Sequence, residues 1–275
     1  MTAVKFNLAS AGYCEAKRSH ALSKASNQTI KFYATYAHIE HPIHGHILFD
    51  TGYTRRFYEF TKKYPFKIYA RVTKVYVNEE DEAKNVLKTK GIYPNDIKFI
   101  IISHFHADHI GGLRDFPNAE FICSDVAFQD VRGRKGFFAL KKGFIPSLMP
   151  EEFQSRTKFL SFDTSTKEVD GLGPVIDLFN DESILICQLD GHAKGQIGAL
   201  LNADKKILLI SDAAWLKENY ADLHLPNPIV RLFFDSWSDF KKSLHKVHTY
   251  HKTHPETLII PCHCEETINE LIYRK

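Results

Sequence analysis

The sequence predicts a layered α/β protein, and two observations lead to that class. Continuous apolar runs of strand length lie at 97–102, 183–189, 205–211 and 257–262, and such runs are typical of strands buried on both faces. Stretches with helical periodicity are interspersed with them, which favours sheets covered by helices. Because no linker rich in Ser, Gly or Pro divides the 275 residues, we expect a single domain spanning 1–275.

The remaining elements are predicted in chain order. The stretch "HGHILFDTG" at 44–52 predicts a short strand that ends in an Asp-Thr-Gly turn. Residues 79–90 predict a helix, because acids occupy the first turn, lysines occupy the last, and Gly91 follows the end. The 237–252 segment predicts an amphipathic helix. Its apolar residues recur at helical spacing and include Trp237, Phe240, Leu244, Val247 and Tyr250.

Bulk properties exclude several classes of protein. A formal net charge of +3 is too small to indicate nucleic-acid binding by itself. No apolar run approaches the length of about 18–20 residues that a transmembrane helix needs, and the N-terminus lacks the pattern of a secretory signal. The five cysteines are scattered rather than spaced as in a small disulfide scaffold. We therefore expect a reduced, cytoplasmic protein.

Histidine or aspartate follows each of the four apolar runs within about two residues. The residues in question are His104, Asp190 with His192 two positions further, Asp212 and His263. If the strands lie side by side, their ends converge on one edge of a sheet, where sites of α/β proteins tend to form. The first of these histidines also opens the stretch "HFHADH", which concentrates three imidazoles and a carboxylate in six positions.

Together these positions offer five imidazoles and two carboxylates as metal ligands. The seven residues are His104, His106, Asp108, His109, His192, Asp212 and His263. One tetrahedral zinc takes only four ligands, so the set is too large for a single ion. It suits two divalent metals about 3.5–4 Å apart that share a bridging carboxylate. Imidazole and carboxylate without thiolate favour zinc, with iron and manganese as the alternatives.

The order His-x-His-x-Asp-His, Gly-His, Asp and a last His resembles the metallo-β-lactamase superfamily, and "FDTG" at 49–52 resembles its early Asp-Thr-Gly turn. The resemblance implies an αββα sandwich with the metal site at the edge between the two sheets. It implies that His104, His106 and His192 bind the first metal. It implies further that Asp108, His109 and His263 bind the second, that Asp212 bridges the two, and that Asp50 orients a histidine ligand.

The family mechanism is hydrolytic. It implies attack by a metal-bridging hydroxide on a carbonyl or phosphorus centre, with Asp108 as a proton shuttle to the leaving group and Asp212 holding both metals. Within the superfamily, chain length, motif spacing and "SDAAWLKENYADL" (211–223) resemble the N-acyl-homoserine lactone lactonases. Three features depart from that subgroup: "LDGHAKGQ" (189–196), "PCHC" (261–264), and Trp215 in place of a tyrosine that helps hold the lactone.

These considerations predict a metal-dependent hydrolase that opens a lactone or similar ester, with quorum quenching as the corresponding biological role. The partner is a small molecule with an apolar part that Trp215 contacts, and a homodimer is compatible with the sequence. One alternative is a phosphodiesterase or nuclease, because 53–77 carries seven Lys and Arg against one acid among eight aromatics. The other is a metal-bearing sensor without turnover. The segments 53–77 and 133–153 are either plain covering helices, a lid over the substrate, or a contact for nucleic acid or lipid.

Overall fold

The computed structural model describes residues 2–163, 165 and 167–273, and its strands form two sheets. The strands of the first sheet are β1 (Lys5–Lys17), β2 (Thr29–His41), β3 (Gly45–Phe49), β4 (Val75–Tyr76), β5 (Ile97–Ile101), β6 (Glu120–Ser124) and β7 (Thr157–Leu160). They lie in the order β4-β1-β2-β3-β5-β6-β7. The strands β3, β5, β6 and β7 run parallel to one another, whereas β1 and β2 form a long antiparallel pair.

The second sheet contains the C-terminal strands. These are β8 (Lys167–Val169), β9 (Gly173–Asp177), β10 (Ile184–Gln188), β11 (Ile197–Asn202), β12 (Lys206–Ser211) and β13 (Leu258–Pro261). Their order is β13-β12-β11-β10-β9-β8. The neighbours β12 and β13 are parallel, and the remaining pairs are antiparallel.

Short helices connect the strands and cover the outer faces of the sheets. The α-helices are α1 (Arg18–Ala21), α2 (Arg56–Phe60), α3 (Lys67–Val72), α4 (Ala83–Thr89), α5 (Ala107–Ile110), α6 (Asp125–Val131), α7 (Gly136–Leu140), α8 (Lys217–Ala221), α9 (Trp237–Thr253) and α10 (Glu265–Ile268). Turns of 3₁₀-helix occupy Pro94–Asp96, Leu113–Asp115, Pro146–Leu148, Gln154–Arg156 and Pro228–Phe233, and Asn269–Tyr273 is a π-helical turn. Among the described residues, no helix combines the length and the apolar character that crossing a membrane requires.

The apolar side chains divide the fold into four layers. Along β12, Ile207 and Leu209 belong to the core between the two sheets, whereas Leu208 and Ile210 belong to the core under α9. In the first sheet Ile101 likewise faces the space between the sheets. Successive strand residues point to opposite faces, so each sheet buries one face on its partner and the other under helices. The predicted αββα sandwich is confirmed.

The four apolar strands do not all lie side by side in one sheet, which was the condition for their ends to converge on a single sheet edge. Strand β5 belongs to the first sheet, whereas β10, β12 and β13 belong to the second. A continuous apolar run indicates burial on both faces, but it does not indicate which sheet the strand joins. Because β11 is antiparallel to both β10 and β12, and β13 is parallel to β12, the three strands of the second sheet still end at one edge.

The helix predicted over 79–90 begins later, at Ala83. Its acidic first residues form a turn instead, in which Asp81 Oδ2 accepts a hydrogen bond from the Asn78 backbone N–H at 2.9 Å. The Glu82 carboxylate accepts a hydrogen bond from the Arg55 backbone N–H, also at 2.9 Å. These carboxylates stabilise a turn and a tertiary contact rather than a first helical turn.

Candidate metal centre

Strand ends from both sheets bring the predicted ligands together. His104 follows β5, and the loop after it enters α5, which carries Asp108 and His109. In the second sheet, the residues that follow β10, β12 and β13 include His192, Asp212 and His263 respectively. Two groups of side chains have ligand atoms that all lie within 4.8 Å of one another: His104, His106, His192 and Asp212, and His109, Asp212, Cys262 and His263.

Asp212 belongs to both groups, and its two oxygens face different histidines. Its Oδ2 lies 2.8 Å from His192 Nε2 and 4.0 Å from His104 Nε2. Its Oδ1 lies 3.3 Å from His263 Nε2 and 3.6 Å from His109 Nε2. A carboxylate with one oxygen toward each group is the arrangement that a bridging ligand requires.

Asp50 holds one of these imidazoles through the nitrogen that faces away from the cluster. His109 Nδ1 donates a hydrogen bond to Asp50 Oδ2 at 2.7 Å, and this assigns the proton to Nδ1 and leaves the Nε2 lone pair free. His109 Nε2 and His104 Nε2 are buried, and neither has a hydrogen-bond partner among the described residues. Buried polar nitrogens are almost always paired, so two orphaned lone pairs beside Asp212 fit metal ligands.

Two serines extend this support to the other group. The backbone N–H and the hydroxyl of Ser103 donate to Asp50 at 2.8 and 2.7 Å, and the Ser211 hydroxyl donates to Ser103 Oγ at 2.8 Å. His104 Nδ1 lies 3.1 Å from the same Ser103 oxygen. Asp50 and Ser211 both have left-handed backbone conformations, with φ of 60° and 48°, and strained non-glycine positions of this kind concentrate at functional sites.

The Asp-Thr-Gly turn is fastened to the metal motif. The Thr51 hydroxyl donates to the His109 carbonyl at 2.9 Å and accepts from the Gly112 N–H at 3.0 Å. Gly52 has a φ of +67°, which glycine adopts without strain. A Cβ on Gly111 would lie 2.5 Å from the Gly52 carbonyl oxygen, so this close approach explains the glycine that follows "HADHI".

Electrostatics divide the imidazoles into two kinds. Burial, together with neighbouring histidines, holds the pKa values of His104 and His106 well below their usual range. Burial also lowers the pKa of His109, but the carboxylates of Asp50 and Asp108 outweigh it and raise that pKa to about 10. The surrounding histidines likewise hold the pKa of Asp212 well below its usual range despite burial. The cluster therefore contains neutral imidazoles at His104 and His106 and an ionised carboxylate at Asp212, which are the forms that bind metals, whereas His109 releases a proton when a metal binds.

The structure brings all seven predicted ligands together, and it places the Cys262 thiol, which we expect to be a plain strand-end side chain rather than a ligand, beside them. Asp108 Oδ2 lies 3.7 Å from both His109 Nε2 and His263 Nε2. Cys262 is buried, and its thiol donates a hydrogen bond to Asp212 Oδ1. Burial, reinforced by Asp212, raises the pKa of this thiol well above its usual range. The position directly before His263 was the available signal, but spacing alone does not reveal the direction of the side chain.

Trp215, the predicted substrate contact, lies beside the cluster. Its ring centroid is 5.9 Å from that of His192 and 5.6 Å from that of Phe32. A pocket of about 360 Å³ opens here. Its polar lining includes the candidate metal ligands His106, Asp108, His192, Asp212 and His263, and its apolar lining includes Phe32, Ile68, Val72, Leu140 and Trp215.

Two tyrosines that the sequence pattern does not single out, one buried and one partly buried, lie in the same pocket. Tyr53 and Tyr69 both line it, and burial together with the charge of Asp108 raises their pKa values well above the usual range. Both lie in the basic, aromatic 53–77 segment, whose character gave no indication of which rings point inward. Parts of that segment and of 133–153 therefore form walls of the pocket.

A second cleft adjoins the first. It has a volume of about 620 Å³ and shares His106, His192, Leu232 and Phe233 with the pocket around the candidate ligands. Its charged lining comprises Asp130, Arg134, Lys141, Lys142, Lys194, Arg231 and Asp235. Cations outnumber acids in this lining, so an anionic group is favoured there.

Comparison with known proteins agrees with this geometry. The metallo-beta-lactamase superfamily model matches residues 39–127, which include the Asp-Thr-Gly turn and "HFHADH". An N-acyl homoserine lactonase from Bacillus cereus is 26% identical over 230 residues, which are 81% of this chain and 80% of that protein. The N-acyl homoserine lactonase AttM of Rhizobium radiobacter is 25% identical over 178 residues, 63% of this chain and 60% of that protein.

Solved structures show the same fold at low sequence identity. An N-acyl homoserine lactone hydrolase with N-hexanoyl-L-homoserine bound at its catalytic metal centre superposes with a TM-score of 0.75 at 20% identity, covering 98% of this chain and 97% of that chain. The dizinc quorum-quenching lactonase AidC gives a TM-score of 0.64 at 14% identity, covering 96% and 89%. With its two sheets and its buried His/Asp cluster, this chain has the metallo-beta-lactamase fold, and its residues 39–127 resemble the superfamily of that name.

Proposed function

We propose that this protein is a dinuclear metal-dependent hydrolase that opens a lactone or a similar carboxylic ester with an apolar acyl part, an N-acyl-homoserine lactone being the leading candidate. The observation that carries the proposal is the pocket of about 360 Å³, in which candidate metal ligands and apolar side chains line one space. The relatives named above as N-acyl homoserine lactonases support the substrate class.

The residues present fit two metals. In the proposal, His104, His106 and His192 hold the first ion, Asp108, His109 and His263 hold the second, and Asp212 bridges them. Zinc suits this donor set, with iron and manganese as alternatives. When bound, the metals would supply a Lewis acid and a water molecule acidic enough to ionise near neutral pH.

Three carboxylates of the chain have proposed roles of their own in the reaction. Asp108 is the proposed proton shuttle, because its carboxylate lines the pocket beside His109 and His263 and is therefore within reach of a leaving group. Asp212 has a contact on each oxygen, from His192 on Oδ2 and from the Cys262 thiol on Oδ1, and these contacts orient its carboxylate toward both histidine groups. Asp50 keeps the His109 ring oriented from behind.

Trp215 is the proposed substrate contact. Its ring borders the pocket beside Phe32 and His192, and no group among the described residues accepts a hydrogen bond from its indole N–H. That N–H is available to the carbonyl oxygen of a bound ester, while the ring face offers an apolar wall. Ile68 and Leu140 extend that wall, which suits an acyl chain.

A substrate screen on metal-quantified protein tests the proposal. Lactone opening releases acid, so a pH indicator follows it with unlabelled lactones of different acyl length. Turnover of lactones that disappears on chelation and returns with zinc supports the proposal. Two bound metals and no turnover of any lactone or carboxylic ester would overturn the substrate class, and tight lactone binding without turnover would favour a metal-bearing sensor.

The second candidate is a phosphodiesterase, and the basic cleft of about 620 Å³ next to the metal site is the observation that favours it. Lys141, Lys194 and Arg231 line the cleft and would attract a phosphodiester. Bis-p-nitrophenyl phosphate is the discriminating substrate. If it is cleaved with much higher kcat/KM than any lactone, the phosphodiesterase assignment replaces the lactonase assignment.

A further inference from the structure

Exposed large apolar side chains concentrate around the entrance of the pocket. Three short segments carry them: α3, α7 and the 3₁₀ turn Pro228–Phe233. We call these side chains the mouth surface, which consists of Val72, Phe137, Phe138, Ile229, Leu232 and Phe233. Leu232 is 85% exposed and Phe138 is 74% exposed. Single exposed apolar residues are ordinary, but several of them on three segments that border one opening mark an interaction site.

The three segments meet at the candidate metal centre. Val72, Leu232 and Phe233 line the same pocket as Asp212 and His263. Phe138 lines the adjoining cleft together with Leu232 and Phe233. The mouth surface is therefore the rim of the proposed active site, and a partner that covers it also covers the route by which substrate enters.

The charges of these segments have one sign. Residues 67–72, 135–142 and 228–233 contain six Lys and Arg and no acid: Lys67, Arg71, Lys135, Lys141, Lys142 and Arg231. Lys142 is paired with Asp130 and Asp235, so we leave it out of the count of available cations. The others lie on exposed positions around the apolar residues.

We propose that the mouth surface docks on an anionic lipid bilayer. Large apolar side chains surrounded by lysine and arginine are typical of surfaces that insert into the boundary between headgroups and acyl chains. A second copy of the chain fits less well, because a two-fold contact would place the same cationic patch on both sides of the interface. Charge complementarity thus selects the anionic membrane.

Docking in this orientation would place the pocket entrance against the acyl layer. A substrate with an acyl chain would then pass from the bilayer into the pocket without crossing water, which removes the cost of exposing its apolar surface. This consequence rests on the proposed function, whereas the docking itself does not. Vesicle binding and turnover can therefore succeed or fail separately.

Co-sedimentation with vesicles tests the docking. The probes are vesicles of phosphatidylcholine alone and of phosphatidylcholine mixed with phosphatidylglycerol, with the metal-loaded full chain. We expect binding to the anionic vesicles only, weakened by salt. Leu232→Ser combined with Phe138→Ser should weaken binding on the order of tenfold or more, because each side chain loses its burial in lipid. Ile43→Ser is the matched control, since Ile43 is 75% exposed in the β2–β3 turn, outside the mouth surface.

A charge variant tests the electrostatic part. Lys67→Gln combined with Arg71→Gln should weaken binding by about fivefold per cation, equivalent to about 1 kcal/mol each. Lys88→Gln combined with Lys205→Gln, at exposed positions in α4 and in the β11–β12 turn, is the control for total charge because it also removes two cations. Thermal unfolding of each variant checks that the fold is retained.

Three results would overturn the proposal. The wild-type chain fails to bind anionic vesicles, or it binds them equally well after the mouth-surface substitutions. Alternatively, sedimentation velocity reveals a dimer that the Leu232→Ser and Phe138→Ser double variant dissociates, which would assign the mouth surface to self-association instead.

Discussion

Asp50 and His109 are 59 positions apart in the chain, yet Asp50 Oδ2 lies 2.7 Å from His109 Nδ1. This contact fixes both the ring orientation and the proton position of a candidate metal ligand. The first sheet makes it possible, because β3 and β5 are parallel neighbours that deliver Asp50 and the metal motif to the same edge.

Asp50→Asn should therefore weaken metal binding while the chain stays folded. An amide can still occupy the position, but it no longer balances the charge of His109 or strengthens its basicity, and supporting partners of this kind are worth about 10–100-fold in metal affinity. Competition with a chromophoric zinc chelator measures the effect. Asp204→Asn, an exposed position in the β11–β12 turn, is the control. Unchanged zinc affinity would contradict the role assigned to Asp50.

Asp212→Ala should remove activity together with metal. Each oxygen of Asp212 faces a different histidine group, so the substitution deprives both sites of one ligand and leaves the cluster without its central negative charge. We expect metal content to fall from two ions per chain toward one or none, as measured by elemental analysis after dialysis. Asp204→Ala serves as control. A variant that keeps both metals and near-normal turnover would disprove the bridging assignment.

The residue pattern itself predicts the ligands of the site, whereas the two-sheet architecture was implied only by the family resemblance. Strand-end His104, His192, Asp212 and His263 identify themselves by their position after apolar runs. That they come from two different sheets is a tertiary property, which apolar runs do not encode. The direction of the Cys262 side chain is not encoded either, because whether a residue beside a ligand points into the site depends on the local backbone.

Metal-free protein should be most stable near neutral pH. The carboxylates of Asp50 and Asp108 raise the pKa of His109 to about 10 despite burial, against about 6.5 in an unfolded chain. Its contribution to the free energy of unfolding is therefore complete below pH of about 6.5 and is lost as the pH rises toward 10. Burial lowers the pKa values of His104 and His106, so the unfolded chain takes up their protons first as the pH falls below about 6.5, which destabilises the fold.

Urea unfolding of chelator-treated protein across a pH series measures this dependence. Asp50→Asn should flatten the alkaline side, because the group that holds the proton on His109 is gone. The assignment would be refuted if the unfolding free energy of the wild-type chain kept rising as the pH increases from about 6.5, the pKa of His109 in the unfolded chain, to about 10, its pKa in the folded chain.

Trp215→Tyr should raise lactonase turnover if a hydroxyl at this position improves the hold on the lactone. The ring stays against Phe32 and His192, while the phenol adds a stronger hydrogen-bond donor. Trp215→Phe removes the donor altogether, and we expect it to lower kcat/KM by about tenfold, the order of one hydrogen bond to a substrate. Trp237→Tyr is the matched control, because that ring packs on Phe240 and Phe234. If Trp215→Tyr and Trp215→Phe had the same kinetics as the wild-type chain, Trp215 would have no role in substrate binding.

Cobalt substitution should decide whether the Cys262 sulfur binds a metal. Burial and Asp212 raise the pKa of this thiol, and the thiol donates a hydrogen bond to Asp212. Because the sulfur therefore stays protonated, we expect Asp108 rather than sulfur to hold the second ion. The cobalt-loaded chain should then lack the intense near-ultraviolet charge-transfer band that a thiolate ligand produces. Cys264→Ser, two positions further and also buried, is the control for Cys262→Ser. A charge-transfer band in the wild-type spectrum that Cys262→Ser abolishes and Cys264→Ser preserves would instead place sulfur on the metal, a softer donor set than imidazole and carboxylate alone.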